Sequence, residues 1–127
     1  MQRIKVLIVD DHAEMRRVIR EFLDTTANVV VVGEAVDGID AIDKTEELNP
    51  DVVLMDISMP QRDGLEATRI IKERWPTKMV VIASMHDNPH YRQRAAEVKA
   101  DRFVAKSSLK PDLEALFGEN LEFGRSI

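Results

Sequence analysis

The stretch Ile4-Lys5-Val6-Leu7-Ile8-Val9-Asp10-Asp11-His12 decides the fold. A β-branched run stops abruptly at two carboxylates, and the next apolar residues follow a different period. Met15, Val18, Ile19, Phe22 and Leu23 recur at helical spacing, with Arg16, Arg17, Arg20 and Glu21 on the other side. One strand therefore runs into one amphipathic helix, and Asp11 with Glu14 is expected to cap its start. The same unit returns along the chain. Further short apolar runs lie at Val29–Val32, Val52–Met55, Met79–Ala83 and Phe103–Ala105. Between them fall helical stretches at Gly38–Leu48, ended by Asn49-Pro50, and at Leu65–Trp75, ended by Pro76. A shorter helix follows the Asp87-Asn88-Pro89 cap. Pro111 is expected to open the last helix, where Leu113, Leu116, Phe117 and Leu121 keep the period although Gly118 costs about 1 kcal/mol relative to alanine.

Strand–helix alternation requires right-handed crossovers and a parallel sheet, and unalternating apolar runs such as Val29–Val32 and Met79–Ala83 are expected of strands covered on both faces. The reading is an α/β fold, a (βα)5 doubly wound sandwich in one domain over residues 1–121. Residues 122–127 read as a tail or linker stub.

Composition narrows the function. The 127 residues carry 18 Lys plus Arg against 23 Asp plus Glu, a net charge of −5, which disfavours binding that begins by neutralising a phosphate backbone. The absence of cysteine excludes disulfide frameworks, thiolate metal sites and cysteine nucleophiles. The run at Ile4–Val9 is too short for a signal or membrane segment, so a cytoplasmic protein without a membrane partner is expected. No basic recognition helix follows Ile127, so the chain as given is not expected to bind DNA alone. It reads as a single domain or the front half of a longer chain.

In open α/β sheets ligands bind beyond the carboxyl ends of the strands. There the first strand delivers Asp10 and Asp11, the third Asp56, the fourth Ser84 and the fifth Lys106. The second delivers only Gly33-Glu34-Ala35, which places it outside the site. Three converging carboxylates repel one another unless a cation neutralises them, and an all-oxygen site of this kind suits Mg²⁺, with Mn²⁺ possible. Singly, each residue has a plainer role: a helix cap for Asp10 or Asp11, a loop residue for Asp56, a satisfied hydroxyl for Ser84, a solvated charge for Lys106. Their joint placement at strand ends favours one site. A cation, an ammonium and a hydroxyl around a carboxylate are what a phosphoryl group on that carboxylate would need.

These residues closely resemble the receiver domain of two-component response regulators. The resemblance rests on Val9-Asp10-Asp11-His12, on Leu54-Met55-Asp56-Ile57-Ser58-Met59-Pro60 with Asp63-Gly64, on Ala83-Ser84 and on Phe103-Val104-Ala105-Lys106. The wording around them is most like the subgroup with helix-turn-helix DNA-binding outputs. The resemblance implies a flavodoxin-like strand order 2-1-3-4-5 and a phosphoryl group accepted on Asp56 from a sensor histidine kinase or phosphotransfer protein. It further implies Mg²⁺ held by Asp11, Asp56 and the Ser58 backbone carbonyl, with Asp10 acting through water. Lys106 would pair with Asp56 and then with a phosphoryl oxygen; Ser84 would swing inward, and Phe103 would follow into the space it leaves. The region around Tyr91, Arg94, Lys99 and Phe103 is where receivers dimerise or meet an output, so a homodimer is a possible partner state. Catalysis would be shared with the donor, and the domain is not expected to be a turnover enzyme.

Four positions make three departures from the commoner pattern. Ser107 stands where many receivers have proline after the lysine, Lys99 and Arg102 stand where small residues are usual, and Phe103 lacks the tyrosine hydroxyl, so its preference is expected to come from packing alone. His86, two residues after Ser84, is expected as an exposed loop histidine near the site. Of the other functions this fold supports, a flavin carrier needs a glycine- and hydroxyl-rich loop where Asp10-Asp11-His12 stands. A phosphoaspartyl hydrolase needs a second carboxylate where Ser58 stands. A receiver-like module that works without phosphorylation is the remaining alternative.

Overall fold

A computed structural model describes residues 3–57 and 63–118. The order is β1 (Ile4–Val9), α1 (Ala13–Asp24), β2 (Val29–Ala35), α2 (Gly38–Leu48), β3 (Val52–Asp56) and α3 (Asp63–Arg74). It continues with β4 (Met79–Ser84), α4 (Pro89–Glu97), β5 (Arg102–Ala105), a 3₁₀ turn (Lys106–Ser108) and α5 (Leu109–Phe117). All adjacent strands pair in parallel in the order β2-β1-β3-β4-β5. The expected α/β doubly wound sheet is present.

Alternation along β1 builds the two core layers. Ile4, Val6 and Ile8 pack with Ile19, Leu23, Leu113, Leu116 and Phe117 on the α1/α5 side. Leu7 and Val9 pack with Ala41, Leu65, Ile71 and Ala95 on the α2/α3/α4 side. Each fully buried aliphatic side chain contributes roughly 1.5–3 kcal/mol of transfer free energy, so the sheet is held from both faces. β3 is buried throughout, whereas the edge strand β2 leaves Val30 and Val32 half-buried. The expectation that Val29–Val32 is covered on both faces fails there, because β2 has a strand neighbour on one side only.

β2 also runs three residues further than its apolar run. Its register against β1 slips between Val6 and Leu7, so Val6 faces Val31 while Leu7 faces Gly33. Gly33 leaves room there for Leu48, since a Cβ would stand 2.5 Å from Leu48 Cδ1 and that side-chain end would have to move.

Helix starts differ from expectation in two places. The N-cap of α1 is His12, without a side-chain capping bond, and Asp11 and Glu14 do not form the expected pair. Asp10 instead reaches forward, its Oδ1 accepting from the His12 N–H at 2.9 Å. α5 opens at Leu109, directly after the 3₁₀ turn, and Pro111 falls inside its first turn, where a missing N–H breaks no helical bond. The Asn88 cap with Pro89 following it is present, its side chain accepting from Tyr91 N. Gly118 ends α5; Leu121 and the 122–127 tail lie outside the described residues.

Lys99 explains one departure from the receiver pattern. Its φ of 67° lies in the left-handed region, where it closes α4 with Lys99 N–H to Ala96 O at 2.9 Å and Ala100 N–H to Ala95 O at 3.0 Å. This is a Schellman closure, for which glycine is the unstrained residue.

Candidate functional site

The strand ends bring Asp10, Asp56, Ser84 and Lys106 to one edge of the sheet. Asp10 and Asp56 are 1 % exposed and Ser84 is fully buried. The Lys106 side chain, 4 % exposed, sits between the two acids, its Nζ 3.0 Å from Asp10 Oδ2 and 3.1 Å from Asp56 Oδ1. A proline after the lysine is unnecessary for this aim, because the 3₁₀ turn from Lys106 to Ser108 fixes the backbone.

Asp11 is exposed at the mouth of the site. One ligand atom each from Asp10, Asp11, His12 and Asp56 fall within 4.8 Å of one another. Three carboxylates facing one ammonium leave an excess of two negative charges at a mouth open to water, which fits a hard divalent cation bound through oxygen. His12 Nδ1 lies 3.0 Å from Asp11 Oδ1 and 3.3 Å from Asp10 Oδ1. The Ser58 carbonyl expected among the metal ligands lies outside the described residues.

Two neighbours to which the sequence gives no role at the site, Arg16 and Gly64, support Asp10 and Asp56. Arg16, set among the solvent-side residues of α1, is half-buried and donates through Nη1 to the Asp10 carbonyl at 2.8 Å and through Nε to Glu34 Oε1 at 2.9 Å. Arg20 bonds the other Glu34 oxygen. Burial alone would raise the Glu34 pKa, but the hydrogen bonds from Arg20 and Arg16 outweigh it and hold the carboxyl below its usual range. Gly64 lets α3 close on Asp56, for a Cβ there would stand 2.4 Å from the Asp56 carbonyl oxygen.

Ser84 faces its own loop. Its Oγ donates to the His86 carbonyl at 3.1 Å and accepts from the His86 N–H at 3.0 Å. His86 is exposed as expected and stacks on Tyr91 with ring centroids 5.3 Å apart. Phe103 is half-buried, and packing alone does not hold it: the Arg92 guanidinium lies over its ring, 4.6 Å from the centroid.

Residues 6–117 match the response regulator receiver domain family. The chain belongs to that family. The receiver is 42 % identical over 112 residues to the response regulator protein VraR of Staphylococcus saprophyticus, covering 87 % of this chain and 53 % of that protein. It is 38 % identical over 108 residues to a protein-glutamate methylesterase/protein-glutamine glutaminase of Pyrococcus horikoshii, covering 84 % of this chain and 29 % of that enzyme. Its fold matches the crystal structure of a LuxR-family two-component response regulator from Aurantimonas with a TM-score of 0.84 and 31 % identity, covering 92 % of this chain and 86 % of the other. The receiver thus spans less than a third of the methylesterase and about half of VraR. Among the described residues, no helix is long and apolar enough to cross a membrane.

Proposed function

We propose that this receiver accepts a phosphoryl group on Asp56 from the phosphohistidine of a sensor histidine kinase or phosphotransfer protein. The reading is carried by one observation: a nearly buried carboxylate at a strand end, paired with a buried lysine and ringed by two further aspartates. An Asp56 carboxylate oxygen attacks phosphorus, the P–N bond of the donor breaks, and the departing imidazole takes up a proton. The acyl phosphate remains on the domain.

Asp11 and Asp56 would hold Mg²⁺ directly, with the Ser58 carbonyl as a third ligand and Asp10 through water. Bound there, the cation supplies charge stabilisation for the transferring phosphoryl oxygens. Lys106 moves from Asp56 Oδ1 to a phosphoryl oxygen, keeping its bond to Asp10 as the anchor of the pivot. Ser84 exchanges its two bonds to His86 for one to the phosphoryl group, and the β4–α4 loop follows it. The domain supports its own phosphorylation and dephosphorylation without being a turnover enzyme.

The functional domain is assigned to residues 1–121 and the compartment to the cytoplasm. A glutamate methylesterase and LuxR-family regulators both occur among the similar proteins. Their names differ in output, so the output is left to the partner or domain the receiver controls.

Acetyl phosphate with Mg²⁺ tests the reading by intact mass beside an Asp56→Ala variant. The expected result is a gain of one phosphoryl mass, dependent on the metal and missing in the variant. No gain in a folded protein, with histidine-kinase donors also failing, would leave a phosphorylation-independent interaction module.

A further inference from the structure

The β4–α4 loop and the β5 aromatic are tied together by one side chain. Arg92, on the first turn of α4, forms a fork to Asp87 with Nε to Oδ1 at 2.6 Å and Nη2 to Oδ2 at 3.2 Å. The same guanidinium covers the Phe103 ring at 4.6 Å. Asp87 lies three residues beyond Ser84, in the loop whose start is held by the reciprocal Ser84–His86 bonds. Phe103 faces Ile82 in the β4–β5 ladder and lies three residues before Lys106. A planar guanidinium suits both tasks at once, since its edge bonds a carboxylate while its face stacks on a ring.

Both contacts require the loop and the ring to stay where they are. If Ser84 leaves His86 for a phosphoryl group, Asp87 is drawn along the loop away from Arg92. A guanidinium that loses its carboxylate is no longer held over the ring, and Phe103 is released. Arg92 and Asp87 are each about half exposed, with side-chain exposures of 51 % and 44 %, so breaking the pair costs little and is reversible.

We propose that Arg92 is a positioning residue that latches the resting conformation by clamping Phe103 and Asp87 together, and so sets how readily the receiver responds to a phosphoryl group. The inference rests on the phosphorylation reading. It assigns the Phe103 preference to a charged partner, where the phenylalanine alone has no hydrogen bond to offer.

The test is calorimetric titration of the intact chain with beryllofluoride, a phosphoryl mimic, in Mg²⁺, for wild type, Arg92→Ala, Arg92→Lys, Asp87→Asn and the Arg92→Ala/Asp87→Asn double variant. A resting-state latch makes its own removal favour the mimic-bound state, so Arg92→Ala is expected to bind about two- to fivefold more tightly. Asp87→Asn should tighten binding less, and the double variant no more than Arg92→Ala, because both act through one guanidinium. Arg92→Lys keeps a cation over the ring without the fork and should fall between. A merely structural role would weaken binding along with the melting temperature, and equal or weaker binding by folded Arg92→Ala overturns the latch. Wild type that binds no mimic overturns the phosphorylation reading, and the latch with it.

Discussion

The two edges of the sheet use the same residue types for opposite ends. At the amino edge each carboxylate is matched to its own donors: Asp51 Oδ2 accepts from Lys5 N–H at 2.8 Å, and Asp101 Oδ2 accepts from Val80 N–H at 2.8 Å and from Lys72 Nζ at 2.8 Å. Lys72 also caps the carbonyls of Pro76 and Lys78, and Lys78 Nζ donates to the Pro50 carbonyl at 2.8 Å. These acids tie strand ends to loops and stand apart from one another. At the carboxyl edge Asp10, Asp11 and Asp56 face one another, with the Lys106 ammonium shared between Asp10 and Asp56. Spread over backbone donors, carboxylates stabilise; gathered together, they leave charge to be met by something that binds. The contrast lies in placement, since aspartate and lysine serve at both ends.

The sharpest way to break this comparison is to exchange the fates of two buried aspartates. Asp56→Asn should abolish phosphorylation by acetyl phosphate at a stability cost below about 1 kcal/mol, because the amide keeps an acceptor for Lys106 while carboxylate crowding is relieved. Asp51→Ala should do the reverse. Removing it leaves the Lys5 N–H without its acceptor, at about 2 kcal/mol in urea unfolding, with full phosphoryl stoichiometry in the folded protein. Loss of phosphorylation in Asp51→Ala would show that the edges are not separable.

Metal provides the next contrast. Mg²⁺ at about ten times its Kd should stabilise the receiver by about 1.4 kcal/mol in thermal or urea unfolding. The gain should vanish in Asp11→Asn and persist in Asp51→Ala. Lys99→Gly, remote from the site, is expected to stabilise by about 1 kcal/mol by relieving the left-handed residue that closes α4. Phosphorylation should not change with it.

The smallest effect is in acid. The Glu34 carboxyl titrates below its ordinary value of about 4.3 in the folded state, so its contribution is present above that pH and is lost as pH falls through the folded value. Glu34→Gln should flatten the acid limb of the stability–pH curve in that window, by about 0.5 kcal/mol for so solvent-screened a cluster.

Much of this arrangement was legible in the sequence because strands announce where they stop. Asp10, Asp56, Ser84 and Lys106 each end an apolar run or follow it immediately, and a doubly wound sheet sends all such ends to one edge. Arg16 and Arg92 were not legible as partners. Arg16 lies on a helix face that reads as solvent-side, Arg92 on a short helix with no clear apolar period, and each reaches a group by tertiary approach that no periodicity encodes. The Asp11–Glu14 cap and the Pro111 start failed for a related reason: tertiary bonds at Asp10 and the 3₁₀ turn after β5 set the helix ends ahead of local preference.

The register slip in β2 has a further consequence. Side chains alternate along a strand, so the residue gained between Val31 and Gly33 puts Glu34 beside Ile8, on the α1 side, within reach of Arg16 and Arg20. Were Val32 to pair with Leu7 in regular register instead, Glu34 would fall beside Val9 on the α2 side and Arg16 would lose the carboxylate that steadies it under Asp10. The strand therefore tolerates the loss of Val32 better than the loss of the slip: deleting Val32 would leave Val6–Val31 and Leu7–Gly33 as consecutive pairs with Glu34 still beside Ile8, whereas pairing Val32 with Leu7 would invert every side chain that follows.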